Sequence, residues 1–362
     1  MGQETITTQM FAKILLYPFS LLYHFATWLR NRTYDSGMKN SVSFDLPTIS
    51  VGNLTVGGTG KTPHIEYLIR LLKPSFKLAT LSRGYGRKTK GFVVAEEGIS
   101  ATQLGDEPMQ FFQKYGSEVL VTVCEERLYG IPAILMEEPE TDIVLLDDAY
   151  QHRQVKPGVN ILLSDFNRPF YKDLLLPAGR LRESRKGAER ADIVIVSKCP
   201  TNLLPNDMLA IKKEIRAYIS SQIPIYFTCF DYGKPVQLLG APTETPRKIV
   251  LVTGIANTKY LEEYIGKHFE MVEHLRYPDH HTYTAAIIDK IKASVEKAGE
   301  YVSVITTEKD ATKLANGELG EMLKELPVFA LPIEVKFLGG EAEQFAKQVL
   351  GKVEALQPEG EE

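Results

Sequence analysis

Residues 50–63 read SVGNLTVGGTGKTP. A run of small residues, rich in glycine, ends there at Lys61 and Thr62. The residues before the run, PTISVG, are typical of a buried strand, and those after it, KTPHIEYLIRLL, have the apolar spacing of a helix. A glycine-rich turn between a strand and a helix leaves backbone N–H groups free for phosphate oxygens, and the helix dipole adds to the attraction. The stretch therefore predicts a phosphate-binding loop, or P-loop.

The predicted P-loop gives each of its residues a role in holding a nucleotide. The amides before Lys61 point at phosphate oxygens, Lys61 reaches the β- and γ-phosphates, and the Thr62 hydroxyl ligates Mg²⁺. The predicted nucleotide-binding residues are Thr55, Val56, Gly57, Gly58, Thr59, Gly60, Lys61 and Thr62. The usual pattern has glycine where this chain has Thr55, so the loop is a variant, and a strand-to-helix turn without a ligand is the alternative.

A pair of aspartates ends a later hydrophobic strand. Residues 141–153 read TDIVLLDDAYQHR, in which Asp147 and Asp148 follow the apolar run. Two carboxylates beside a P-loop suit a magnesium-nucleotide site, where one holds the metal or its water and the other orients a nucleophile or a second metal. A turn capped by aspartate is the alternative. Gln151 and His152 follow directly, and we expect them close to the same site.

The order of strands and helices predicts an α/β fold. Short, nearly continuous apolar strands alternate with helical patterns from about residue 47, which is typical of a parallel sheet covered by helices on both faces. We therefore predict a P-loop NTPase-like parallel sheet, a second, smaller α/β domain and an N-terminal amphipathic membrane helix. The predicted boundaries are 1–40 for the N-terminal helix, 41–240 for the P-loop domain, 241–350 for the smaller domain and 351–362 for a flexible tail.

The N-terminal region carries a strongly apolar stretch. Residues 10–30 read MFAKILLYPFSLLYHFATWLR, in which Lys13, Pro18 and His24 interrupt the run of about 20 apolar residues that a spanning helix needs. Trp28 and the arginines that follow it suit a helix lying in the membrane interface, with its aromatic residues at headgroup depth. A helix packed on the protein's own core is the alternative.

Composition excludes several classes of function. The formal net charge is −4, so the chain has no general attraction to nucleic acid. The three cysteines are scattered, which indicates neither a zinc site nor a disulfide framework. The segment IVIVSKCP (193–200) resembles a guanine-recognition motif but has Pro200 in place of the required aspartate, so ATP is the expected nucleotide.

Seven blocks, in this order along the chain, carry a resemblance: SVGNLTVGGTGKTP, LSRGYGR, GDEPMQF, LLDDAYQHR, LLPAGRLRES, PDHHTYT and TTEKDATK. Together they resemble the tetraacyldisaccharide 4'-kinase family of lipid A biosynthesis over nearly the whole chain. The resemblance implies ATP-dependent phosphorylation of the 4'-hydroxyl of a tetraacylated glucosamine disaccharide 1-phosphate, giving lipid IVA. It also implies a peripheral protein, held by its N-terminal helix at the cytoplasmic face of a Gram-negative inner membrane. One departure is the pair Ala149-Tyr150, where Gly-Phe is commoner in the family.

The resemblance also implies a proton-accepting pair. The aspartate of the GDEP block is Asp106, and the first histidine of the PDH block is His280. Carried over, Asp106 accepts the proton of the sugar hydroxyl, while His280 orients Asp106 and raises its basicity. Without the resemblance, Asp106 would be read as the first residue of a helix and His280 as part of a surface turn.

Further roles follow from basic and acidic residues of the matched blocks. Arg182 and Glu183 match the family's LRE block and are expected to contact the γ-phosphate and the metal, respectively. Arg127 is a further candidate for contact with the transferred phosphate. The predicted catalytic residues are thus Asp106, His280, Lys61, Asp147, Asp148, Arg127 and Arg182, and the predicted metal ligands are Thr62, Asp147, Asp148 and Glu183.

An anionic glycolipid substrate gives a role to basic loops near a membrane. The predicted substrate-binding residues are Arg83, Arg87, Gln151 and His152. We expect a monomer. Two other functions stay open: a soluble P-loop ATP-dependent synthetase, whose N-terminal helix is only structural, and a nucleotide-gated ATPase that hydrolyses ATP slowly.

Overall fold

The structure of the chain is a computed structural model that describes residues 2–357, with side chains from Lys13 onward. The predicted tail therefore lies partly outside the described residues, from 358 to 362. The described helices are α1 (Gly2–Asp35), α2 (Lys61–Leu72), α3 (Ala101–Leu104), α4 (Asp106–Tyr115), α5 (Arg127–Glu137), α6 (Pro205–Arg216), α7 (Lys259–His268), α8 (Ala285–Ala298), α9 (Glu308–Leu314), α10 (Gly317–Leu323) and α11 (Ala342–Glu354). Short 3-10 helices span Phe170–Lys172, Arg185–Arg190 and Leu338–Gly340.

The described strands follow in the same way. They are β1 (Thr48–Asn53), β2 (Leu78–Ser82), β3 (Val93–Val94), β4 (Val119–Val123), β5 (Ile143–Asp147), β6 (Val159–Asp165), β7 (Ile193–Ser197), β8 (Ile225–Tyr232), β9 (Val236–Leu239), β10 (Lys248–Thr253), β11 (Glu270–Arg276), β12 (Val302–Thr307), β13 (Val328–Leu331) and β14 (Ile333–Phe337).

The described chain divides into two compact units. The first unit comprises residues 2–83, 118–229 and 335–357, and the second comprises residues 84–117 and 230–334. The boundaries predicted from sequence treat each domain as continuous, whereas both units are discontinuous in the chain. The segment 84–117 belongs to the second unit because its helix α4 packs against α9, a contact between distant segments that no local pattern marks.

The first unit is built on a parallel sheet. Its strands lie in the order β14-β8-β7-β6-β1-β5-β2-β4, and the pairs from β8 through β4 are parallel. Every residue of β1, β2, β5 and β7 is buried, because helices cover both faces of such a sheet. The predicted P-loop NTPase-like α/β fold is confirmed. Strand β1 is central, and it pairs with β5 on one side and β6 on the other.

The second unit has a sheet of its own, in the order β11-β10-β12-β13-β9. Strand β10 pairs in parallel with β11 and β12, while β9 is antiparallel to β13. Its core lies between this sheet and helix α8, where buried Ile288 and Ile291 pack with Val250 and Val304. The α9 helix follows β12 directly, so it begins at the carboxyl end of that strand.

The N-terminal helix α1 has two different faces. On one face, Ser20 Oγ donates to Leu175 O at 3.0 Å, and Tyr23 Oη donates to Arg182 O at 2.8 Å. On the other face a row of large apolar side chains is exposed: Ile14, Leu15, Leu21, Leu22, Phe25, Trp28 and Leu29. Within the described residues, no helix combines the length and the apolarity needed to cross a bilayer.

Candidate active site

The P-loop joins β1 to α2, as the sequence predicts. Gly57 has φ +107° and Gly60, the residue before α2, has φ +86°. Side chains strain such left-handed backbone, so glycine is favoured at both positions. The N-terminus of α2 then directs its free N–H groups and its dipole toward the loop.

Polar side chains from neighbouring strands fix the P-loop. Asn53 Nδ2 donates to Thr59 Oγ1 at 2.8 Å, and Ser197 Oγ donates to Thr59 O at 2.7 Å. Lys198, just after β7, donates from Nζ to Gly58 O and forms a salt bridge with Asp165. These bonds use carbonyl and side-chain groups of the loop, so they hold its shape without occupying its backbone N–H groups.

A buried histidine ties the start of α2 to the sheet. His64 Nδ1 lies 2.7 Å from Gly60 O, and its Nε2 lies 3.1 Å from Thr228 Oγ1 on β8. Burial lowers the pKa of His64 to about 4, so the ring is neutral at neutral pH. A neutral ring whose Nδ1–H donates to Gly60 O satisfies both contacts. Sequence reasoning missed this residue, because its partner Thr228 is distant in the chain.

The second aspartate of the predicted pair lies beside the P-loop lysine. Lys61 Nζ is 3.7 Å from Asp148 Oδ1, while Arg182 donates Nη1 to Asp148 Oδ1 at 3.0 Å and Nη2 to Oδ2 at 3.2 Å. Burial alone would raise the pKa of Asp148, but Lys61 and Arg182 outweigh burial and hold this pKa below its ordinary value. The structure thus brings three predicted catalytic residues into one cluster of opposite charges.

Asp147, the first aspartate of the predicted pair, is more deeply buried than Asp148. Asp147 is buried at the end of β5, where Ser82 Oγ lies 3.4 Å from its Oδ2. Because β5 pairs with β1, the carboxyl end of β5 lies at the same sheet edge as the P-loop that follows β1. Asp147 therefore lies at the sheet edge where the P-loop begins, and its predicted role as a metal ligand stays a prediction.

The donor set around the P-loop fits Mg²⁺. Hard oxygen ligands are what Mg²⁺ prefers, and it usually takes one or two carboxylates and keeps several waters. The Thr62 hydroxyl and the carboxylates of Asp147 and Asp148 are such ligands. Within the described part of the chain, no group of three or more His, Cys, Asp or Glu side chains is arranged to hold a metal. The role of these residues as metal ligands stays a prediction.

Arg127 has a structural role in the first unit. It is fully buried, and its guanidinium donates to Cys124 O at 2.8 Å and to Asp147 O at 3.0 Å. Burial lowers the pKa of Arg127 to about 10, which leaves it charged at neutral pH. It therefore joins the carboxyl ends of β4 and β5, and its predicted contact with a transferred phosphate stays a prediction.

Glu183 is held by partners other than a metal. Arg190 donates Nη2 to its Oε1 at 2.8 Å and Nη1 to its Oε2 at 3.0 Å, and Asn31 Nδ2 donates to Oε2 at 2.8 Å. Gln151 Nε2 adds a bond of 3.0 Å to Oε1. Both carboxylate oxygens thus have protein donors, and the metal role predicted for Glu183 stays a prediction.

The predicted substrate-binding residues divide between the units. In the first unit, Arg182 Nη1 donates to Gln151 Oε1 at 3.1 Å, which links Gln151 to the charged cluster. Burial, reinforced by Arg127 and Arg83, lowers the pKa of His152 to about 4, so His152 is neutral there. In the second unit, Arg87 donates to Gly91 O at 2.6 Å within its own loop.

The pair implied by the GDEP and PDH blocks meets in the second unit. His280 Nδ1 lies 3.0 Å from Asp106 Oδ2, and Lys313 Nζ lies 2.5 Å from the same oxygen. Burial alone would raise the pKa of Asp106, but the bonds from His280 and Lys313 outweigh burial and lower this pKa. Asp106 is therefore a carboxylate at neutral pH, and it is hydrogen-bonded to His280.

The central strand of the parallel sheet leads into a glycine loop, and the helix after the loop begins with Lys61. An aspartate pair lies at the end of the neighbouring strand. These features define a P-loop nucleotide-binding protein. Similarity to known protein families narrows this class to one family. The family model described as Tetraacyldisaccharide-1-P 4'-kinase matches residues 12–354, and the chain belongs to this family.

Relatives and a solved structure agree with the family. The chain is 45% identical over 345 residues to a tetraacyldisaccharide 4'-kinase of Phocaeicola vulgatus, covering 92% of this chain and 93% of that protein. It is 43% identical over 355 residues to the protein of the same name from Bacteroides thetaiotaomicron, covering 93% and 92%. The crystal structure of LpxK from Aquifex aeolicus in complex with ATP is similar with a TM-score of 0.73 at 29% identity, covering 94% of this chain and 99% of that one.

Proposed function

We propose that the chain transfers the γ-phosphate of ATP to the 4'-hydroxyl of a tetraacylated glucosamine disaccharide 1-phosphate, giving lipid IVA. The observation that carries the proposal is the P-loop with Lys61 beside Asp148, in a chain that matches a 4'-kinase family over residues 12–354. The resemblance to a structure in complex with ATP supports ATP as the phosphate donor.

The first unit holds and stabilises the phosphates. Backbone N–H groups of the P-loop and the start of α2 bind phosphate oxygens, and Lys61 neutralises charge on the β- and γ-phosphates. Arg182 forms a salt bridge with Asp148. We expect its guanidinium to contact the γ-phosphate when ATP binds, because a carboxylate and a phosphate are both anionic partners for a planar guanidinium. Thr62, Asp147 and Asp148 would hold Mg²⁺, which would offset the negative charge of the phosphates.

The second unit supplies the proton acceptor. Asp106 is ionised at neutral pH, and its bond to His280 fixes the orientation of both groups. Asp106 accepts the proton of the 4'-hydroxyl, and His280 positions the carboxylate and shares the charge change. Phosphoryl transfer depends mainly on positioning and charge stabilisation, so one well-placed pair is sufficient as a base.

Helix α1 supplies the approach to a lipid substrate. Its exposed apolar row faces away from the bonds that Ser20 and Tyr23 make to the first unit. Such an exposed apolar row along one face of a helix suits binding in the membrane interface. The proposal places the protein peripherally at the cytoplasmic face of the inner membrane, where ATP and the nascent glycolipid are both accessible.

Incubation of the purified protein with ATP labelled in its γ-phosphate and the disaccharide 1-phosphate, in detergent micelles, tests the proposal. We expect labelled bisphosphorylated lipid from the wild-type protein. His280→Ala should lower turnover while nucleotide affinity changes little, because the nucleotide-binding residues are in the first unit. Release of labelled phosphate without labelled lipid would instead favour a nucleotide-gated ATPase, and full activity of a protein lacking residues 2–32 on a water-soluble acceptor would favour a soluble synthetase.

A further inference from the structure

Two lysines one turn apart on α9 reach the segment that carries His280. Lys309 Nζ is 2.9 Å from Asp279 Oδ1 and 3.3 Å from His280 Nε2. Lys313 Nζ is 2.5 Å from Asp106 Oδ2 and 3.2 Å from His281 O. The two lysine side chains are only 17% and 15% exposed, so both ammonium groups are largely withdrawn from solvent.

The backbone of His280 needs such support. His280 has φ +58°, in the left-handed region, where a residue with a side chain is strained. A strained residue keeps this conformation only when its surroundings fix it. Here the His280 N–H donates to Asp279 Oδ1 at 3.1 Å, and the same oxygen accepts from Lys309. The ring of Tyr85 also packs against that of His280, with their centroids 5.2 Å apart.

The helix that carries the lysines is itself firmly held. Thr307 Oγ1 caps α9 by accepting from Asp310 N at 3.1 Å, and the buried Asp310 Oδ2 accepts from Gly254 N at 2.8 Å. Lys114 of α4 forms a salt bridge of 2.7 Å with Glu308 of α9. Because α4 begins at Asp106 and packs against α9, Asp106 and the two lysines lie on one pair of packed helices.

We propose that Lys309 and Lys313 are positioning residues for phosphoryl transfer: Lys309 holds the strained His280 turn through Asp279, and Lys313 directs the Asp106 carboxylate toward His280. The inference rests on the proposed role of Asp106 and His280 as the proton-accepting pair. Lysine suits both positions, since its ammonium group can serve several acceptors at once, as Lys313 does with a carboxylate and a carbonyl.

The charges around Asp106 predict how Lys313 affects the pH dependence. The groups that face Asp106 are His280 and Lys313, with Lys309 farther away, and the buried Tyr283 and Asp310 lie nearby. Burial raises the pKa of Asp106, and the hydrogen bonds and positive charges lower it. Removing the charge of Lys313 leaves burial less opposed, so the pKa of Asp106 rises and the acidic limb of the activity profile moves to higher pH.

Substitutions in the full chain test the inference. We expect Lys309→Met and Lys313→Met to lower kcat at least tenfold, with the KM for ATP changed less than twofold. Lys313→Met should also move the acidic limb to higher pH, and Lys313→Arg, which keeps the charge, should leave that limb near its wild-type position. The matched control is Lys290→Met, an exposed lysine of α8 in the same unit, which should change neither quantity.

Combination with His280→Ala separates positioning from a general effect on stability. Lys309→Met should have little further effect in the His280→Ala background, because its target is gone, whereas independent damage would add. If Lys313→Met does not fold, Lys313→Gln removes the charge but keeps a donor and gives the same pH test.

The outcomes distinguish this inference from the function on which it rests. Wild-type turnover in Asp106→Ala and His280→Ala would contradict the proposed role of the pair itself. Strong loss of turnover in those two variants, with wild-type kcat and pH profile in Lys309→Met and in the uncharged Lys313 variant, would overturn the inference about the lysines alone.

Discussion

Lys61 Nζ lies 3.7 Å from Asp148 Oδ1, so the P-loop lysine is paired with a carboxylate from the end of the neighbouring strand. The Arg182 guanidinium forms a salt bridge with the same carboxylate. Two cations thus share one acidic partner. Under the proposed function, the phosphates of ATP would give both cations a second anionic partner, and Asp148 would then be available to a metal.

Removal of either cation should therefore lower activity far more than stability. We expect Lys61→Ala and Arg182→Ala each to reduce kcat by about 10²–10³-fold, as loss of a preorganised charge that stabilises a transition state does. Arg182→Lys should recover only part of the activity, because an ammonium group cannot form the fork that Asp148 now accepts. Steady-state kinetics with thermal unfolding as a control checks this, and a kcat within twofold of wild type for Lys61→Ala would contradict it.

The ion pair of buried Glu183 with partly exposed Arg190 should matter for stability. Arg190→Met leaves the Glu183 carboxylate, 4% exposed, without its charged partner, and Asn31 and Gln151 remain as donors. Because Arg190 is itself 23% exposed, we expect a loss below the about 3–5 kcal/mol of a fully buried pair. Arg190→Met with Glu183→Leu should recover much of this loss, since no buried charge remains.

Denaturant unfolding of these variants, with and without Mg²⁺, separates the two roles considered for Glu183. A structural role predicts the same loss of stability in both conditions. A large effect of Glu183→Gln on Mg²⁺ dependence, with little effect on unfolding, would instead support the predicted metal role.

The exposed apolar row of α1 should determine membrane binding. Leu22→Glu and Phe25→Glu should each lower partitioning onto vesicles of inner-membrane lipid composition by roughly tenfold, in line with the transfer free energy of a large apolar side chain. Leu209→Glu on α6 is the matched control, since Leu209 is 64% exposed and Leu22 is 70% exposed. Equal partitioning of all three variants in a sedimentation assay would show that α1 is not the binding surface.

His64 should make the first unit sensitive to acid. Its pKa is lowered from 6.5 to about 4 by burial, so the unfolded chain binds this proton between those values and the folded chain does not. The contribution of neutral His64 is fully present above pH 6.5 and is lost as the pH falls toward 4. Linkage then predicts about 2 kcal/mol less stability at pH 5 than at pH 7.5 from this residue.

His64→Asn removes the titrating group while an amide can still donate to Gly60 O. We expect the difference in unfolding free energy between pH 7.5 and pH 5 to shrink in this variant, and to stay as in wild type in His268→Asn, whose side chain is exposed. An unchanged pH difference in His64→Asn would mean that His64 does not titrate as its burial implies.

The sequence predicted the parts of the site that depend on local order. The P-loop and the aspartates that end β5 are short segments at the carboxyl ends of strands, and a parallel sheet brings such ends to one edge. The contact of Asp106 with His280 followed from a family resemblance rather than from residue spacing, because distant segments of the chain supply the two groups.

Contacts between distant segments explain what the sequence left out. Local patterns do not encode the packing that buries Arg127 against Asp147. The same holds for the donors to Glu183, which come from Asn31, Gln151 and Arg190. The same reason applies to segment 84–117, which belongs to the second unit through α4. Lys309 and Lys313 were within reach of sequence reasoning, since their spacing puts both on one face of a helix in the matched block TTEKDATK.

Phosphorus NMR of the lipid formed from ATP and the disaccharide 1-phosphate identifies the hydroxyl that receives the phosphate. We expect a second phosphomonoester, coupled to the proton at the 4'-carbon and formed in step with ADP, and its absence with Lys61→Ala. ATP consumption that leaves the lipid with its single phosphate, or a new phosphate at a different hydroxyl, would contradict 4'-phosphorylation by this protein.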